Sequence, residues 1–517
     1  MNARAKQIIM LAFVAAFLFA SGQLQKSLDR DRDALGLTIS QPLQDAPPVL
    51  ALTTQALGGF RGLISNFLWM RADTLQMNDQ FFEAAQLANW ITDLEPHYSQ
   101  VWAYEGWNMA WNISVKFKDF SDRWRWVTNG MVLLRDRGLQ YNPDNTIIYQ
   151  QLAWIFQNKM GEYLDDANNY YKEQWATEMN PFFGPNGTNF EALLHPQTAE
   201  DRTNLYILVH TYKIDPVLAE KVNEEWGPLD WRLPEAHAIY WASLGLQQAK
   251  EHPGKVVPTD IIQLRRATYQ SMMQAFQHGQ IIPNPFTGRA ELGPNLAIIP
   301  KVNDAYETMM REDPNDAPHI SIGHRNFLLD AVYYLYEDNR MAEAKKWYDY
   351  VGKKYPDKTI LEMQPDSFPR NITLDQYAVA RVQGDVTDTS SDTTTEAIEG
   401  LLIQAYENLA MGDDDRYAGF RLLASKVYTV YMSKIDKFSS DVRRVGLPPF
   451  PDINHLVLSR LLDPQNGLPY DARAVIRSQL RIPGDVNAPY GVLSTNFIPQ
   501  TASPEPTNAP AATSTSE

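Results

Sequence analysis

The sequence predicts an all-α protein built from consecutive antiparallel helix pairs. Two prolines, Pro96 and Pro356, each follow a series of small and apolar residues at identical offsets. The residues in these series are Ala84, Ala88 and Ile91 before the first proline, and Ala344, Tyr348 and Val351 before the second. A second observation is that no segment shows the convincing apolar–polar alternation of a strand, so we do not expect a large sheet.

These offsets are typical of a helix that packs closely on a neighbour and ends at proline. A small side chain lets the paired helix approach, and proline stops a helix because it lacks an amide donor and clashes with the preceding turn. The pattern continues after Pro96, where Trp102 is followed four residues later by Gly106. We therefore expect the helices at 80–95 and 99–112 to pack together, with Gly106 facing Ala84 or Ala88.

The fullest version of the pattern follows Pro143. It consists of a bulky, a leucine, a small and an aromatic residue, namely Tyr149, Leu152, Ala153 and Phe156. In these residues the chain resembles tetratricopeptide-repeat proteins, over roughly residues 70–180 and again over 325–356. The resemblance implies an α-solenoid of stacked helix pairs that binds other proteins.

The chain departs from the repeat family at several positions. Glu105 stands where leucine is usual, and Ala88 and Arg135 stand where an aromatic residue is usual. Pro96 and Pro143 are 47 residues apart, whereas this repeat has a period of about 34 residues. We therefore expect a degenerate array with long loop insertions.

The chain divides into segments by composition. We expect an N-terminal signal-anchor or signal peptide, a spacer, a helical body, a polar linker, a C-terminal helical region and a disordered tail. Their bounds are 1–26, 27–56, 57–383, 384–395, 396–500 and 501–517. The tail contains Thr, Ala, Ser, Pro and Asn with no large apolar side chain, a composition that cannot form a core.

Within the body, apolar spacing predicts helices separated by loops. We expect a loop at 116–125, a long loop at 182–200 and a proline-rich interruption at 279–300. The predicted helices are 57–77, 145–159, 163–179, 200–225, 234–251, 258–278 and 301–311.

Residues 7–25 carry no charged side chain. Their length is sufficient to span a bilayer, whereas the shorter apolar core at 8–20 also suits a cleaved signal peptide. We favour a retained membrane anchor, with the body outside the cytoplasm in the cell envelope. The alternative is cleavage after Gly22, which would leave an exported soluble protein.

Charge and motifs exclude several classes of function. The formal net charge is −16, and no block of five or six basic residues occurs, so binding to nucleic acid is not expected. The chain has no cysteine, which excludes disulfides and thiolate ligands. Since phosphate-binding and dinucleotide-binding glycine motifs are absent and His319 and His324 are a weak metal pair, we predict no cofactor and no metal.

One candidate site lies at the start of the helix at 234–251. Arg232, Glu235 and His237 surround Pro234, which suits the first turn of a helix. They could form a polar cluster that grips an anionic or hydroxylated ligand. The alternative is an ordinary helix start with one buried imidazole.

A second candidate is the aromatic cluster near residue 107. Trp107 and Trp111 are four residues apart and share a helix face. That face suits a groove for a sugar or for an apolar partner helix, whereas core packing is the alternative.

Together these observations favour a scaffold that is tethered to the membrane or exported and that binds a protein partner in an envelope assembly. The alternative is a carbohydrate-binding protein, similar to the starch-utilisation outer-membrane binders in its aromatic residues on repeat helices. The lack of an N-terminal cysteine separates this chain from that lipoprotein family. An enzyme on an all-α toroid is the third hypothesis.

Overall fold

The structure is a computed structural model, and the prediction of an all-α protein is confirmed, because 74% of the described residues lie in helices and 2% in strands. It describes residues 61–490 except 163, 185–187, 287–289, 362–363, 383–390 and 439–445, together with a few isolated residues before residue 31. Apart from those isolated residues, the predicted anchor at 7–25, the spacer and the C-terminal tail therefore lie outside the described residues, as does most of the predicted linker. None of the described helices is long and apolar enough to cross a bilayer.

The chain forms two compact units, residues 1–108 and 109–517. The described helices of the first unit are α1 (Arg61–Met77), α2 (Phe81–Leu94) and α3 (Ser99–Trp107). In its core, Ala88, Ile91 and Val101 are buried, and Leu68 and Trp69 pack against them. The predicted packing of the helices at 80–95 and 99–112 is thus observed for α2 and α3. Gly106 is buried, but its predicted contact with Ala84 or Ala88 stays a prediction.

The second unit begins in a π-helical segment, Asn108–Ile113, which follows α3, and continues through sixteen described α-helices of five residues or more. These are α4 (Phe120–Val132), α5 (Thr146–Trp154), α6 (Asn168–Phe183), α7 (Phe190–Leu194), α8 (Ala199–His210), α9 (Pro216–Trp226), α10 (Pro234–Glu251), α11 (Pro258–His278), α12 (Ile299–Glu312), α13 (Ala317–Glu337), α14 (Met341–Lys354), α15 (Leu374–Val382), α16 (Ser391–Met411), α17 (Asp414–Phe438), α18 (Phe450–Leu461) and α19 (Tyr470–Gln479). Two further π-helical segments, Leu133–Gly138 and Ile155–Gly161, extend α4 and α5.

Two short strands follow α11. Strands β1 (Gln280–Pro283) and β2 (Ala290–Gly293) form an antiparallel hairpin in which Ile281 lies opposite Leu292. This hairpin occupies the segment predicted only as a proline-rich interruption. Sequence periodicity did not indicate this hairpin, because each strand has only four residues. In addition, β1 ends in Pro283 and β2 is followed directly by Pro294.

Several predicted boundaries are corrected. The expected loop at 116–125 is helical from Phe120 onward, and the helix expected to end before Pro181 continues to Phe183 with Pro181 inside it. The expected long loop at 182–200 contains α7, and the last residues of the expected linker, 391–395, form the first turn of α16. These segments are rich in polar residues or proline, so composition alone indicated loops where tertiary packing stabilises helices.

The same turn joins three pairs of helices: α1–α2, α13–α14 and α16–α17. In each turn one residue has a left-handed backbone, namely Asp79 (φ 59°), Asn339 (φ 56°) and Gly412 (φ 84°). The amide of the following residue bonds to the carbonyl five residues earlier, at 2.9 Å (Gln80 to Leu75), 2.8 Å (Arg340 to Leu335) and 2.9 Å (Asp413 to Asn408). This is the Schellman end of a helix, and it reverses the chain at an equivalent point in each pair.

Six helical segments also end in the same way, at a residue followed by proline. The backbone of this residue, which directly follows the helix, has φ between −135° and −121° and ψ between 56° and 80° in each case. The residues are Glu95, Asn142, His195, His252, Asp313 and Tyr355. Proline excludes the helical conformation from the residue before it, so the helix stops there.

The residues that follow two of these prolines also adopt equivalent contacts. Trp102 Nε1 donates to the carbonyl of Pro96 at 2.8 Å, and the Tyr149 hydroxyl donates to the carbonyl of Pro143 at 2.6 Å. Each donor lies six residues after its proline, at the position where the sequence predicted a bulky residue. The chain thus forms the same local hydrogen bond at two places where one helix ends and the next begins.

Candidate functional site

A cleft of about 700 Å³ lies in the second unit, between the β-hairpin and the turns of two helix pairs. One wall is β1 with the residues just before it, Gly279–Pro283, and the segment 294–297. The opposite wall is formed by the end of α13 with its turn and by the start of α17. Charged residues of that wall are Glu337, Asp338, Arg340, Asp413, Asp415 and Arg416. A cleft of this volume suits a small ligand or a few residues of a peptide.

The close approach of α13 and α17 places the two turns beside one another. A Cβ atom added to Gly419 would lie 2.7 Å from the carbonyl carbon of Glu337 and 2.9 Å from the amide nitrogen of Asn339. Contacts of this length are not tolerated by a real side chain, so the crossing requires glycine. Gly419 therefore brings the turn at 337–340 next to the turn at 413–416.

Burial and neighbouring charges raise the pKa values of two carboxyl groups in the cleft. Burial raises the pKa of Glu337 to about 7, against the opposing effects of the Tyr333 hydroxyl and the Arg416 charge. Burial and the neighbouring Asp413 charge raise the pKa of Asp338 to about 6. Both groups therefore bind protons at higher pH than ordinary carboxyl groups do.

The basic side chains of the cleft are largely committed to partners. Arg232 forms a two-pronged pair with Asp230, with Nε to Oδ1 at 2.8 Å and Nη2 to Oδ2 at 2.6 Å. Arg340 pairs with Glu343, which does not line the cleft. The Arg416 guanidinium lies 5.5 Å from the centre of the Phe420 ring. The cleft thus retains an excess of carboxyl groups.

The outer edge of β1 is directed toward this cleft. The Ile281 amide donates to Asp230 Oδ2 at 3.4 Å, and Asp230 itself lines the cleft. Residues opposite one another in an antiparallel pair either exchange both backbone bonds or direct them outward. Ile281 and Leu292 therefore form an outward-directed pair, with the backbone groups of Ile281 on the cleft side and those of Leu292 on the other edge.

The residues predicted at the start of α10 are separated by the fold. Arg232 lines the cleft, whereas Glu235 and His237 lie in the core and do not line it. Glu235 Oε1 lies 3.3 Å from Lys172 Nζ, and both side chains are almost completely buried. Lys172 was not predicted as a partner of Glu235, because α6 is distant from α10 in the chain.

His237 occupies an aromatic cage. Its Nε2 lies 2.8 Å from the carbonyl oxygen of Trp231, so this nitrogen carries the proton as donor. The rings of Phe156, Trp175 and Trp231 lie 4.9–5.8 Å from the imidazole centre. Burial lowers the pKa of His237 to about 4, so the ring is neutral at physiological pH.

The two predicted tryptophans fall in different compact units. Trp107 ends α3 in the first unit and is partly buried. Trp111 belongs to the second unit, where it stacks on Trp154 with ring centres 4.4 Å apart and planes 14° apart. Lys159 Nζ lies 5.9 Å from the Trp111 ring centre. One face of Trp111 is therefore occupied by Trp154.

No group of three or more histidine or acidic side chains among the described residues could hold a metal ion. Comparisons of the chain with models of protein families, with curated proteins and with solved structures found no match. The helix pairs, the cleft and the strand edge are thus the observations on which a function can be argued.

The residues of the cleft wall were not identified from the sequence as a site. Their signal was present in the turns, because Asn339 and Gly412 are residue types that favour a left-handed backbone at the end of a helix. The sequence showed the second of these turns as a glycine followed by three aspartates, 412–415. What it did not show was that the two turns meet.

Proposed function

We propose that this chain is a tetratricopeptide-like helical scaffold that binds an extended segment of a partner protein in the cleft beside β1. The observation that carries the proposal is the outward-directed edge of β1 along one wall of the cleft. An extended peptide can add to such an edge through main-chain hydrogen bonds, here by replacing Asp230 as the acceptor of the Ile281 amide, while side-chain pockets supply specificity. The recurrent turns and proline ends of the helix pairs support the repeat architecture.

The charge of the cleft indicates what the bound segment carries. Five carboxyl groups and three guanidinium groups line the cleft, and Asp230 and Arg232 neutralise each other. Arg340 is engaged by Glu343, which leaves four carboxyl groups facing Arg416. We therefore expect the segment to place a lysine or arginine side chain opposite Glu337 and Asp338.

The membrane tether through residues 7–25 and the position of the body outside the cytoplasm are retained in the proposal on the strength of the sequence. They would hold the cleft near other envelope proteins. Sugar binding is not carried forward as a second function, because the ring of Trp111 is stacked against Trp154 rather than presented as an open platform.

The experiment is a selection of displayed nine-residue peptides on the immobilised full-length chain in mild detergent. We expect selected peptides to contain a basic residue and to bind with micromolar affinity, on the order of the weaker peptide complexes. Asp415→Cys places a thiol in the cleft of a chain that has no cysteine. Coupling a bulky maleimide there should abolish binding.

The matched control is Lys345→Cys on α14, outside the cleft lining. Labelling at this position should leave peptide binding unchanged. Peptides whose binding survives labelling at position 415, or a glycan panel that binds where no peptide does, would contradict the proposal.

A further inference from the structure

Helix α1 of the first unit has apolar side chains on two faces. One face belongs to the core, where Ala72 and Leu75 are buried and Leu68 and Trp69 pack against the cluster around Ala88. The other face, which we call the α1 stripe, is exposed. Its residues are Leu63 (65% exposed), Phe67 (64%), Met70 (62%) and Met77 (72%).

The spacing of the α1 stripe shows that it is one continuous surface. Its members follow one another at steps of four, three and seven residues, which places them along one side of a helix. An ordinary surface helix has one apolar face, and the face of an end helix that points away from a repeat array is usually polar. The stripe therefore indicates that another element covers α1.

The size of the stripe argues against a second copy of the chain as the cover. Four side chains of this size expose roughly 100 Å² each, about 400 Å² in total. A stable interface between two proteins buries about 800 Å² on each partner. A segment of the same chain needs less area, because it is already held at a high effective concentration.

The residues directly before α1 have the composition and length to be this cover. Residues 46–60 carry no charge between Asp45 and Arg61, and they contain Val49, Leu50, Leu52 and Leu57. Gly58 and Gly59 allow the chain to reverse before α1. Nine extended residues span about 30 Å, whereas the stripe from Leu63 to Met77 is about 21 Å long at the rise of a helix.

We propose that residues 49–57 bind along the α1 stripe and cover the exposed side of the first described helix. This interaction concerns the first unit and goes beyond the peptide-binding function proposed for the cleft of the second. An uncharged apolar segment can be buried there without desolvating an ionised group. The last residues of the predicted spacer thus have a structural role, together with Leu57, which the sequence had assigned to the start of the body.

The test uses single cysteines, because the natural chain has none. Met70→Cys places a thiol in the stripe, Glu83→Cys places one on the exposed surface of α2, and Ala72→Cys places one in the core. In the full-length chain we expect the thiol at 70 to react with maleimide at least about ten times more slowly than that at 83. The thiol at 72 reports whether the helices stay folded.

The second arm combines Leu50→Ser, Leu52→Ser and Leu57→Ser. The thiol at 70 should then react about as fast as that at 83, while the thiol at 72 stays protected. Equal rates at 70 and 83 in the chain without serine substitutions would overturn the proposal, whether or not the triple variant folds. Protection at 70 that survives the serine substitutions and rises with protein concentration would instead show that a second copy covers the stripe.

Discussion

Gly419 of α17 lies against the backbone of Glu337 at the end of α13, so closely that a Cβ atom at position 419 would overlap the Glu337 carbonyl oxygen. This contact is between backbone atoms, which cannot rotate away as a side chain can. It joins two of the three helix pairs that share the same left-handed turn. It also holds the two turns that form the charged wall of the cleft next to each other.

The first prediction concerns this crossing. Gly419→Ala should destabilise the protein by about 1–3 kcal/mol, because the helices must move apart to admit the methyl group. Gly400→Ala is the matched control, since a Cβ there meets no atom within 4 Å and the residue lies inside α16. The control should stabilise by about 0.5–1 kcal/mol through helix propensity. Equal free energies of unfolding for both variants, measured by urea denaturation, would show that the crossing is looser than described.

The second prediction concerns the buried pair of Lys172 and Glu235. Glu235→Leu should cost roughly 3–5 kcal/mol, because the ammonium of Lys172 stays buried without this carboxylate. The double variant Glu235→Leu with Lys172→Met should recover most of that loss, since an apolar pair of similar volume replaces the ion pair. Thermal and urea unfolding of the four members of the cycle measure the coupling. A cost below about 1 kcal/mol for the single change would indicate that Glu235 is not held by this pair.

The third prediction concerns Glu337 and pH. Because its folded pKa, about 7, lies above the ordinary value of 4.5, its contribution to stability is fully present below pH 4.5 and is lost as pH rises through 7. Glu337→Gln removes this titration. The variant should therefore match the natural protein near pH 5 and exceed it near pH 8 by about 1–2 kcal/mol, after allowance for solvent screening.

Glu396→Gln on the exposed surface of α16 controls for the loss of one negative charge. Its stability relative to the natural protein should vary little with pH. Burial lowers the pKa values of His237 and His324 to about 4, so the stability that their neutral rings contribute to the protein is lost as pH falls below 6.5. This loss occurs in every variant and therefore cancels in the comparison. A Glu337→Gln advantage at pH 5 rather than pH 8 would reverse the sign expected here.

The sequence predicted the helix pairs well where their ends are marked by local chemistry. Pro96 and Pro356 end helices with nearly the same backbone, and α2 and α14 have fourteen residues each. A proline acts on the residue beside it, so its effect can be read without knowledge of the rest of the chain. The wrongly expected loop at 182–200 shows the limit, because packing stabilises α7 and the continuation of α6 in polar sequence.

The candidate site was predictable only in part. Arg232 lines the cleft, but its predicted companions Glu235 and His237 point into the core. All three lie near one helix start, and sequence spacing cannot tell which side of that start faces a cavity. Glu337 and Asp415 are 78 residues apart in sequence, and only the close approach of α13 and α17 at Gly419 brings their turns together.

The proposed pairing of an extended segment with the edge of β1 is tested by replacing one amide of that edge. Ile281→Pro removes the amide on the cleft side together with its bond to Asp230, but it removes no hydrogen bond between the two strands. A strand tolerates proline at such a position. Leu292→Pro makes the same change on the opposite edge. We measure the affinity of one selected basic peptide for both full-length variants by isothermal titration.

We expect Ile281→Pro to weaken binding at least about ten-fold, because the peptide loses a main-chain hydrogen bond and the docking geometry that depends on it. Leu292→Pro should leave the affinity within about two-fold. Unchanged affinity in Ile281→Pro, or an equal loss in both variants with the fold intact by circular dichroism, would contradict binding at this edge.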